Sequence, residues 1–271
     1  MLVLIRGAGD IASGIAIRLF RSGMRVVMTD VARPTAIRRT VSFSGAVIGG
    51  EQTVEDVRAR LAAGPEEAVR ITGRGDIAVL IDEECKGVPV LRPDALVDAI
   101  LAKRNLGTSA DMAPAVIGVG PGFTAGEDCH AVVETMRGHT LGRVYYRGSA
   151  LPNTAVPGLI GGYAGERVLR APADGVFRQV RDIGELVEAG DAAGYVGDAP
   201  MLCTIGGVLR GILADGTPVF RGMKAGDVDP RGDIQNCYTV SDKALAVGGG
   251  VLEAILHLTG ELRKREEWHG K

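Results

Sequence analysis

The chain has 271 residues, a formal net charge of −2 and 40 glycines. Its length is sufficient for two hydrophobic cores, and its near-neutral charge gives no electrostatic basis for binding nucleic acid or an anionic membrane. No apolar run is long enough to span a bilayer, the start lacks a signal-peptide pattern, and the four cysteines form no CxxC pair. We therefore expect a cytoplasmic protein with free thiols.

Residues 1–150 alternate short apolar runs with helical patterns, which is typical of a parallel sheet. The run "LVLI" predicts a first strand, residues 11–21 a helix ended by Gly23, and "RVVMTD" a second strand. Further strands are predicted at 76–82 and 115–120. The stretch "PDALVDAILAKRN" fits either a helix or a strand ending near Asp98.

The turn between the first strand and helix has the pattern GxGxxA. It consists of Gly7, Ala8, Gly9, Asp10, Ile11 and Ala12. Such a turn lets a pyrophosphate approach the backbone at a helix N-terminus, and Asp30, at the end of the second strand, is placed to accept from a ribose 2′-hydroxyl. We therefore predict a Rossmann-type domain compatible with NAD or FAD, although Asp10 would oppose a phosphate unless it points away. The alternative is a purely architectural turn.

A second glycine loop carries Gly120, Pro121, Gly122 and Phe123, and the chemically richest segment follows it with Cys129, His130, Glu134 and His139. On a helix His130 and Glu134 would share a face. These groups suit a catalytic site handling a soft chalcogen, or polar groups that satisfy one another and cap elements. The single nearby thiol predicts no bound metal.

Three further sets of residues have both a functional and an ordinary interpretation. Asp82 and Asp98 would lie at the carboxyl edge of the sheet, where ligands collect, or cap turns. Lys243, like His130, could act as general acid or base in a free-standing NAD-dependent oxidoreductase. The segment "DVDPR" (227–231) suits a cation or a turn.

The later segments change character. Residues 147–165 are rich in Gly and Pro and predict a linker, whereas residues 166–230 predict short strands separated by Ala-Asp-Gly turns. Residues 231–271 predict a C-terminal helical segment packing back on the first domain, with Ser241 as N-cap, Gly260 as stop and a solvated tail. Its three central glycines imply either a helix starting near Gly250 or a close approach by another backbone or a ligand.

Motifs spanning nearly the whole chain carry a resemblance. They run from "RGAGDIASG" through "RRTVSFSGAV", "VIGVGPGFTAGEDCHAVVETMRGHTLG" and "GDVDPR" to "SDKALAVGGGVLEA". Together they resemble the YqeB-type accessory proteins of the selenium-dependent molybdenum hydroxylase system, distant relatives of the XdhC/CoxI maturation factors. The resemblance implies a nucleotide-binding Rossmann domain and a role in maturing a client molybdenum hydroxylase, by installing labile selenium or sulfur. A non-catalytic ligand-binding scaffold is the third alternative, and a homodimer is left open.

Residues 166–230 also resemble a biotinyl/lipoyl-type barrel-sandwich domain. The stretch "GDAPMLC", which corresponds to the lysine-bearing hairpin of those domains, has no lysine. We therefore expect neither biotin nor lipoate, and a docking module in place of a swinging arm.

Overall fold

The computed structural model describes residues 1–154 and 157–260. The chain forms two compact units, one of residues 1–34, 43–153 and 240–260, and the other of Thr35–Ser42 and Thr154–Thr239. The predicted solvated tail lies outside the described residues. No helix in the described ranges is both long and apolar enough to cross a membrane.

The first unit contains a nine-stranded sheet. Its strands are β1 (Leu2–Arg6), β2 (Arg25–Asp30), β3 (Glu51–Val54), β4 (Val57–Ala62), β5 (Ile77–Ile81), β6 (Ala95–Asp98), β7 (Ala115–Val119), β8 (Ala131–Val133) and β9 (Val144–Tyr145). Their spatial order is β3-β4-β5-β2-β1-β6-β7-β8-β9. The seven inner strands run parallel, and the two edge strands are antiparallel to their neighbours. The sheet is therefore mixed.

In the described ranges, five α-helices accompany this sheet: α1 (Asp10–Arg21), α2 (Gly45–Gly49), α3 (Pro65–Gly73), α4 (Val88–Leu91) and α5 (Asp242–Leu258). Ala68 and Ile71 of α3 share a core with Leu2 and Leu4 of β1. The β1-α1-β2 and β4-α3-β5 connections cross the sheet in opposite directions. Right-handed connections therefore place α1 and α3 on opposite faces.

The α5 helix packs directly on α1 at glycines. A β-carbon placed at Gly14 would lie 2.5 Å from the Ala244 β-carbon, and one at Gly248 would lie 3.3 Å from the Gly14 carbonyl oxygen. One at Gly250 would lie 2.2 Å from the Gly142 carbonyl oxygen. The α5 glycines thus allow the close approach of another backbone. Ser241 caps the helix as predicted, since its hydroxyl accepts from the Ala244 amide at 3.2 Å.

The described part of the second unit contains eight short strands: β10 (Val168–Arg170), β11 (Gly175–Gln179), β12 (Leu186–Val187), β13 (Ala192–Val196), β14 (Ala199–Leu202), β15 (Gly207–Ile212), β16 (Pro218–Val219) and β17 (Lys224–Asp229). They form two four-stranded antiparallel sheets, ordered β10-β17-β15-β12 and β14-β13-β11-β16. Phe177 and Leu209 lie in the core of this unit. Gly197 and Asp198 form the tip of the β13–β14 hairpin in place of a lysine.

The predicted fold class, a Rossmann-like parallel sheet with a barrel-sandwich-like domain, is wrong. The large sheet is mixed, and residues 99–114 between β6 and β7 contain only a 3₁₀ turn at Ala110–Met112, whereas a Rossmann-type crossover between parallel strands contains a helix. The eight small strands divide into two separate sheets, and Thr35–Ser42, from the first 150 residues, belongs to their unit. The ambiguous stretch at 93–105 resolves as the strand β6 followed by a loop.

Gly250→Ala and Gly249→Ala form a matched pair that tests the packing of α5. A β-carbon at Gly250 would collide with Gly142 backbone, whereas one at Gly249 meets nothing within 4 Å. We expect Gly250→Ala to lower the free energy of unfolding by about 1–3 kcal/mol. Gly249→Ala should raise it by about 1 kcal/mol through helix propensity. Urea unfolding followed by circular dichroism measures both, and equal effects would contradict the packing described above.

Candidate functional site at the carboxyl edge of the sheet

In the glycine turn after β1, Gly7 is packed against protein backbone, whereas the space beside Gly9 is open. Gly7 has φ +102°, donates to the Thr29 carbonyl at 2.8 Å, and would place a β-carbon 3.1 Å from the Ala99 oxygen. Gly9, at the N-cap of α1, has nothing within 4 Å of the position that a β-carbon would take. No side chain of the described ranges caps this helix. The first turn of α1 therefore has no side-chain cap, and the space beside the Gly9 α-carbon is open.

Buried contacts hold the turn itself. The Ala8 carbonyl accepts from the Ser44 amide at 2.9 Å and from the Ser13 hydroxyl at 3.1 Å. The Ser13 hydroxyl in turn accepts from the Phe43 amide at 2.8 Å. Ile11 and Ala12 are buried, and Asp10 is the first residue of the helix. The position of the helix start is thus fixed by the Ser13 hydroxyl together with one backbone hydrogen bond.

Asp30 lies beside this turn at the end of β2. One of its carboxyl oxygens accepts from the Val31 amide at 2.8 Å. Burial raises the pKa of Asp30, while hydrogen bonds from the Val31 and Ala8 amides oppose that rise. Ile81 of β5 is paired with Asp30 in register and is 52% exposed. The site therefore combines helix amides, a carboxyl group and an apolar side chain.

Asp98 and Asp82 have structural partners. The Asp98 carboxyl accepts from the Thr108 hydroxyl at 2.6 Å and pairs with the Arg6 guanidinium at 3.4 Å, and all three residues are buried. Asp82 accepts from the Lys86 and Gly87 amides at 2.9 and 2.8 Å. Both side chains lie near the predicted edge and tie its loops together.

Arg6 was missed by the sequence reasoning. Its guanidinium also donates to the Glu83 carbonyl at 3.2 and 3.0 Å, so it joins the loops after β5 and β6. A charged residue at the end of an apolar strand is the signal that could have found it. Removing one partner of such a buried pair typically costs about 3–5 kcal/mol.

The second glycine loop is accounted for by packing within the protein. Gly120 and Gly122 have φ +83° and +109°, and a β-carbon at Gly122 would lie 2.6 Å from the Arg104 α-carbon. Phe123 is buried, and its ring fills the space beside Gly118. Pro121 is half-buried between the two glycines. The glycines of this loop therefore allow it to pack against the segment after β6, and this packing accounts for them without a ligand.

The predicted helical face of His130 and Glu134 is wrong, because residues 131–133 form the buried strand β8. His130 precedes the strand and accepts at Nδ1 from the Val116 amide at 3.0 Å. Glu134 follows it and accepts from the amides of Thr135 and Met136, each at 2.7 Å. Four residues of strand separate their α-carbons by roughly 13 Å.

The remaining predicted catalytic residues are also dispersed. The Cys129 thiol is buried and donates to the Ala131 carbonyl at 3.3 Å, and burial raises its pKa to about 11. His139 is exposed, and Lys243 is half-buried in the first turn of α5. Among the described residues, no group of three His, Cys, Asp or Glu side chains could hold a metal ion.

The "DVDPR" segment is an ion-pair network. Asp227 contacts Arg167 at 2.7 Å and Arg210 at 2.5 Å, and Asp229 contacts Arg210 at 3.1 Å and Arg231 at 2.6 Å. The two aspartates are buried. The carboxyl groups are thus paired with guanidinium groups, and the cation interpretation is wrong.

Comparison with known proteins gives one strong sequence match. No protein-family model matches the chain. The chain is 54% identical over 257 residues to Escherichia coli K12 YqeB, a protein described as uncharacterized. That match covers 95% of this chain and 48% of YqeB, so the chain spans about half the length of this relative. It supports a YqeB-type protein and assigns it no activity.

Solved structures give weaker matches. They include a succinylglutamate desuccinylase/aspartoacylase from Rhodobacter sphaeroides, 17% identical over 83% of this chain and 86% of that chain, with a TM-score of 0.25. An aspartoacylase family protein from Mesorhizobium loti is 12% identical over 84% and 83%, with a TM-score of 0.26. At these scores neither a shared fold nor an activity can be argued.

The maturation-factor prediction is corrected by these comparisons. The solved structures that match are described as desuccinylase and aspartoacylase family proteins, and at their TM-scores they lend no support to a maturation role. The YqeB match carries no link to selenium or to a hydroxylase. The role in selenium or sulfur installation and the XdhC/CoxI-like description are therefore withdrawn.

The four cysteines should be unreactive in the folded protein. Cys85, Cys129, Cys203 and Cys237 are all buried, and burial raises the pKa of each thiol. With a pKa of about 11, Cys129 is only ~0.1% thiolate at pH 8. Titration with Ellman's reagent should detect no fast thiol in native protein and four in denaturant. Rapid native labelling of Cys129 would contradict its described burial.

Asp30→Asn tests the electrostatics of the carboxyl edge. Because its folded-state pKa is raised, the folded protein binds this proton more tightly than the unfolded chain. The resulting stability is complete below the unfolded pKa of about 3.9 and is lost as pH rises through the folded pKa. Asp30→Asn should therefore be more stable than wild type at pH 7, with the difference fading in acid.

Asp56→Asn is the control of opposite sign. The Arg21 guanidinium lowers the pKa of the Asp56 carboxyl, so the substitution should remove stability at neutral pH. Thermal unfolding across the pH range measures both variants. A stability loss for Asp30→Asn at pH 7 would show that its carboxylate is stabilised in the fold.

Proposed function

We propose that this chain binds an adenine nucleotide with a free ribose 2′-hydroxyl, of which NAD and FAD are examples, at the carboxyl edge of its nine-stranded sheet. The observation that carries the proposal is the open, uncapped start of α1 at Gly9, directly beside the carboxyl group of Asp30.

The start of α1 supplies the contacts for phosphate. A helix of this length presents amides without intrahelical partners at its first turn, together with the positive end of its dipole. Phosphate oxygens accept from such amides. The approach is over Gly9, where no atom beyond Gly9 and its two chain neighbours lies within 4 Å of the β-carbon position.

Asp30 and Ile81 supply the contacts for the nucleoside. The Asp30 carboxyl is held by backbone amides and retains acceptor capacity for a ribose hydroxyl. Ile81, on the neighbouring strand, offers an exposed apolar surface for one face of a purine. A 2′-phosphate would place a second negative charge against Asp30, so the site favours the free hydroxyl.

A hydride-transfer enzyme is less well supported by the geometry. His130, the proposed acid or base, lies before β8 and hydrogen-bonds to the start of β7. That position is at the amino ends of these strands, opposite to the edge that carries Gly9 and Asp30. Lys243 lies in the first turn of α5.

Gly9→Val is the sharpest test of nucleotide binding. Gly9 has φ −69° and ψ −178°, an extended conformation open to any residue, and its β-carbon position is vacant. The variant should fold with wild-type stability and lose nucleotide binding, because valine covers the first-turn amides. Calorimetric titration should show NAD binding to wild type more tightly than NADP, with Asp30→Ala removing that preference.

Glu66→Gln, an exposed substitution in the first turn of α3, is the charge-matched control and should bind as wild type does. NADP binding more tightly than NAD would exclude Asp30 from the ribose contact. Equal affinity of Gly9→Val and wild type for NAD would exclude the α1 site.

A further inference from the structure

A second candidate binding site lies in a cleft of about 360 Å³ between the β3–β4 edge of the sheet and helix α3. Its charged lining consists of Glu51, Arg58, Arg60, Glu67, Arg74 and Asp76. It is separate from the Gly9 site, because Arg58 and Asp76 lie near the amino ends of β4 and β5. Gly9 and Asp30 lie at the carboxyl edge.

Two of its arginines share one carboxyl group. The Arg58 guanidinium donates through Nε and Nη2 to both oxygens of Asp76, each at 3.0 Å. The Arg60 Nε lies 3.0 Å from Asp76 Oδ2, the oxygen that also accepts from Arg58 Nη2. Arg58 and Arg60 are two positions apart on a strand, so both side chains emerge on the same face. One carboxylate therefore faces two guanidinium groups.

The other two acidic side chains of the lining contribute little to neutralising them. One oxygen of Glu67 accepts from the Ala63 amide at 2.8 Å, which commits it to the start of α3. Glu51 approaches Arg60 only to 3.9 Å and is 60% exposed. Arg74, at the C-terminal end of α3, adds a third guanidinium that is exposed to solvent.

The lining thus has as many acidic as basic groups but an excess of hydrogen-bond donors. Each guanidinium has five N–H donors and no acceptor. Arg60 Nε lies within ion-pair distance of Asp76 but makes no hydrogen bond, and one terminal nitrogen of Arg60 lies 3.9 Å from Glu51. A planar carboxylate or a tetrahedral phosphate has several acceptor oxygens. A guanidinium group binds such an anion through two parallel hydrogen bonds, and the cleft has room for one more group of this kind.

We propose that this cleft binds a small oxyanion, a phosphate or a carboxylate, between Arg60 and Arg74. The two arginines come from different elements, β4 and α3, so the anion would connect the edge of the sheet to the helix. Arg58 keeps Asp76 in place and acts as a positioning residue for Arg60.

The test is an NMR titration of the full chain with inorganic phosphate and, separately, with malonate, at constant ionic strength. We expect saturable shifts in the Arg60 and Arg74 Nε–H signals with at least one of the two anions, and comparison of the two identifies the preferred class. Arg60→Gln and Arg74→Gln should each weaken that binding about tenfold.

Arg70→Gln is the matched control, since Arg70 is an exposed arginine of α3 outside the cleft lining, and it should bind as wild type does. Arg60→Gln should leave NAD affinity unchanged, which separates this site from the Gly9 site. Linear shifts without saturation for both anions would overturn the proposal, as would equal losses in Arg70→Gln and Arg74→Gln.

Discussion

The close contact between α1 and α5 is the constraint on which the first unit depends. Gly14 faces Ala244, and Gly248 faces the backbone of α1, so the two helices approach at a distance that larger residues would prevent. The Arg18 guanidinium adds a hydrogen bond to the Leu245 carbonyl at 3.3 Å. α5 also contacts β7, β8 and β9, where the connections between strands contain no α-helix. A helix from the end of the chain thereby supplies the layer that crossover helices would otherwise provide, and it fixes α1 against the sheet.

The fixed position of α1 explains how an open helix start can exist beside a buried network. On one face of the sheet, Ser13 and Ser44 hold the Ala8 carbonyl and leave Gly9 uncovered. On the other face, Arg6 links Asp98, Thr108 and the Glu83 carbonyl, which ties the loops after β5 and β6 to the central strand. Residues at the same edge thus divide into those that stabilise its loops and those that remain accessible to a ligand.

The sequence predicted the elements whose pattern is local. The β1 strand, the α1 helix and the β2 strand follow their apolar periodicity, and Ser241 caps α5 as its residue type suggests. It failed where tertiary pairing decides the outcome. The four-residue spacing of His130 and Glu134 suggested a helix, but the apolar run between them pairs with β7 and becomes a buried strand. The ion pairs of Asp227 and Asp229 involve arginines at 167 and 210, which no short motif could reveal.

The central claim is that a nucleotide lies over the start of α1, with its ribose against Asp30. A crystal structure of the full chain grown with NAD tests this most directly. The account predicts phosphate oxygens within hydrogen-bond distance of the first-turn amides of α1, the adenosine ribose on the Asp30 carboxyl and the adenine against Ile81. A crystal grown at saturating NAD in which these amides bind only water, or in which the adenosine lies away from Asp30, would contradict it.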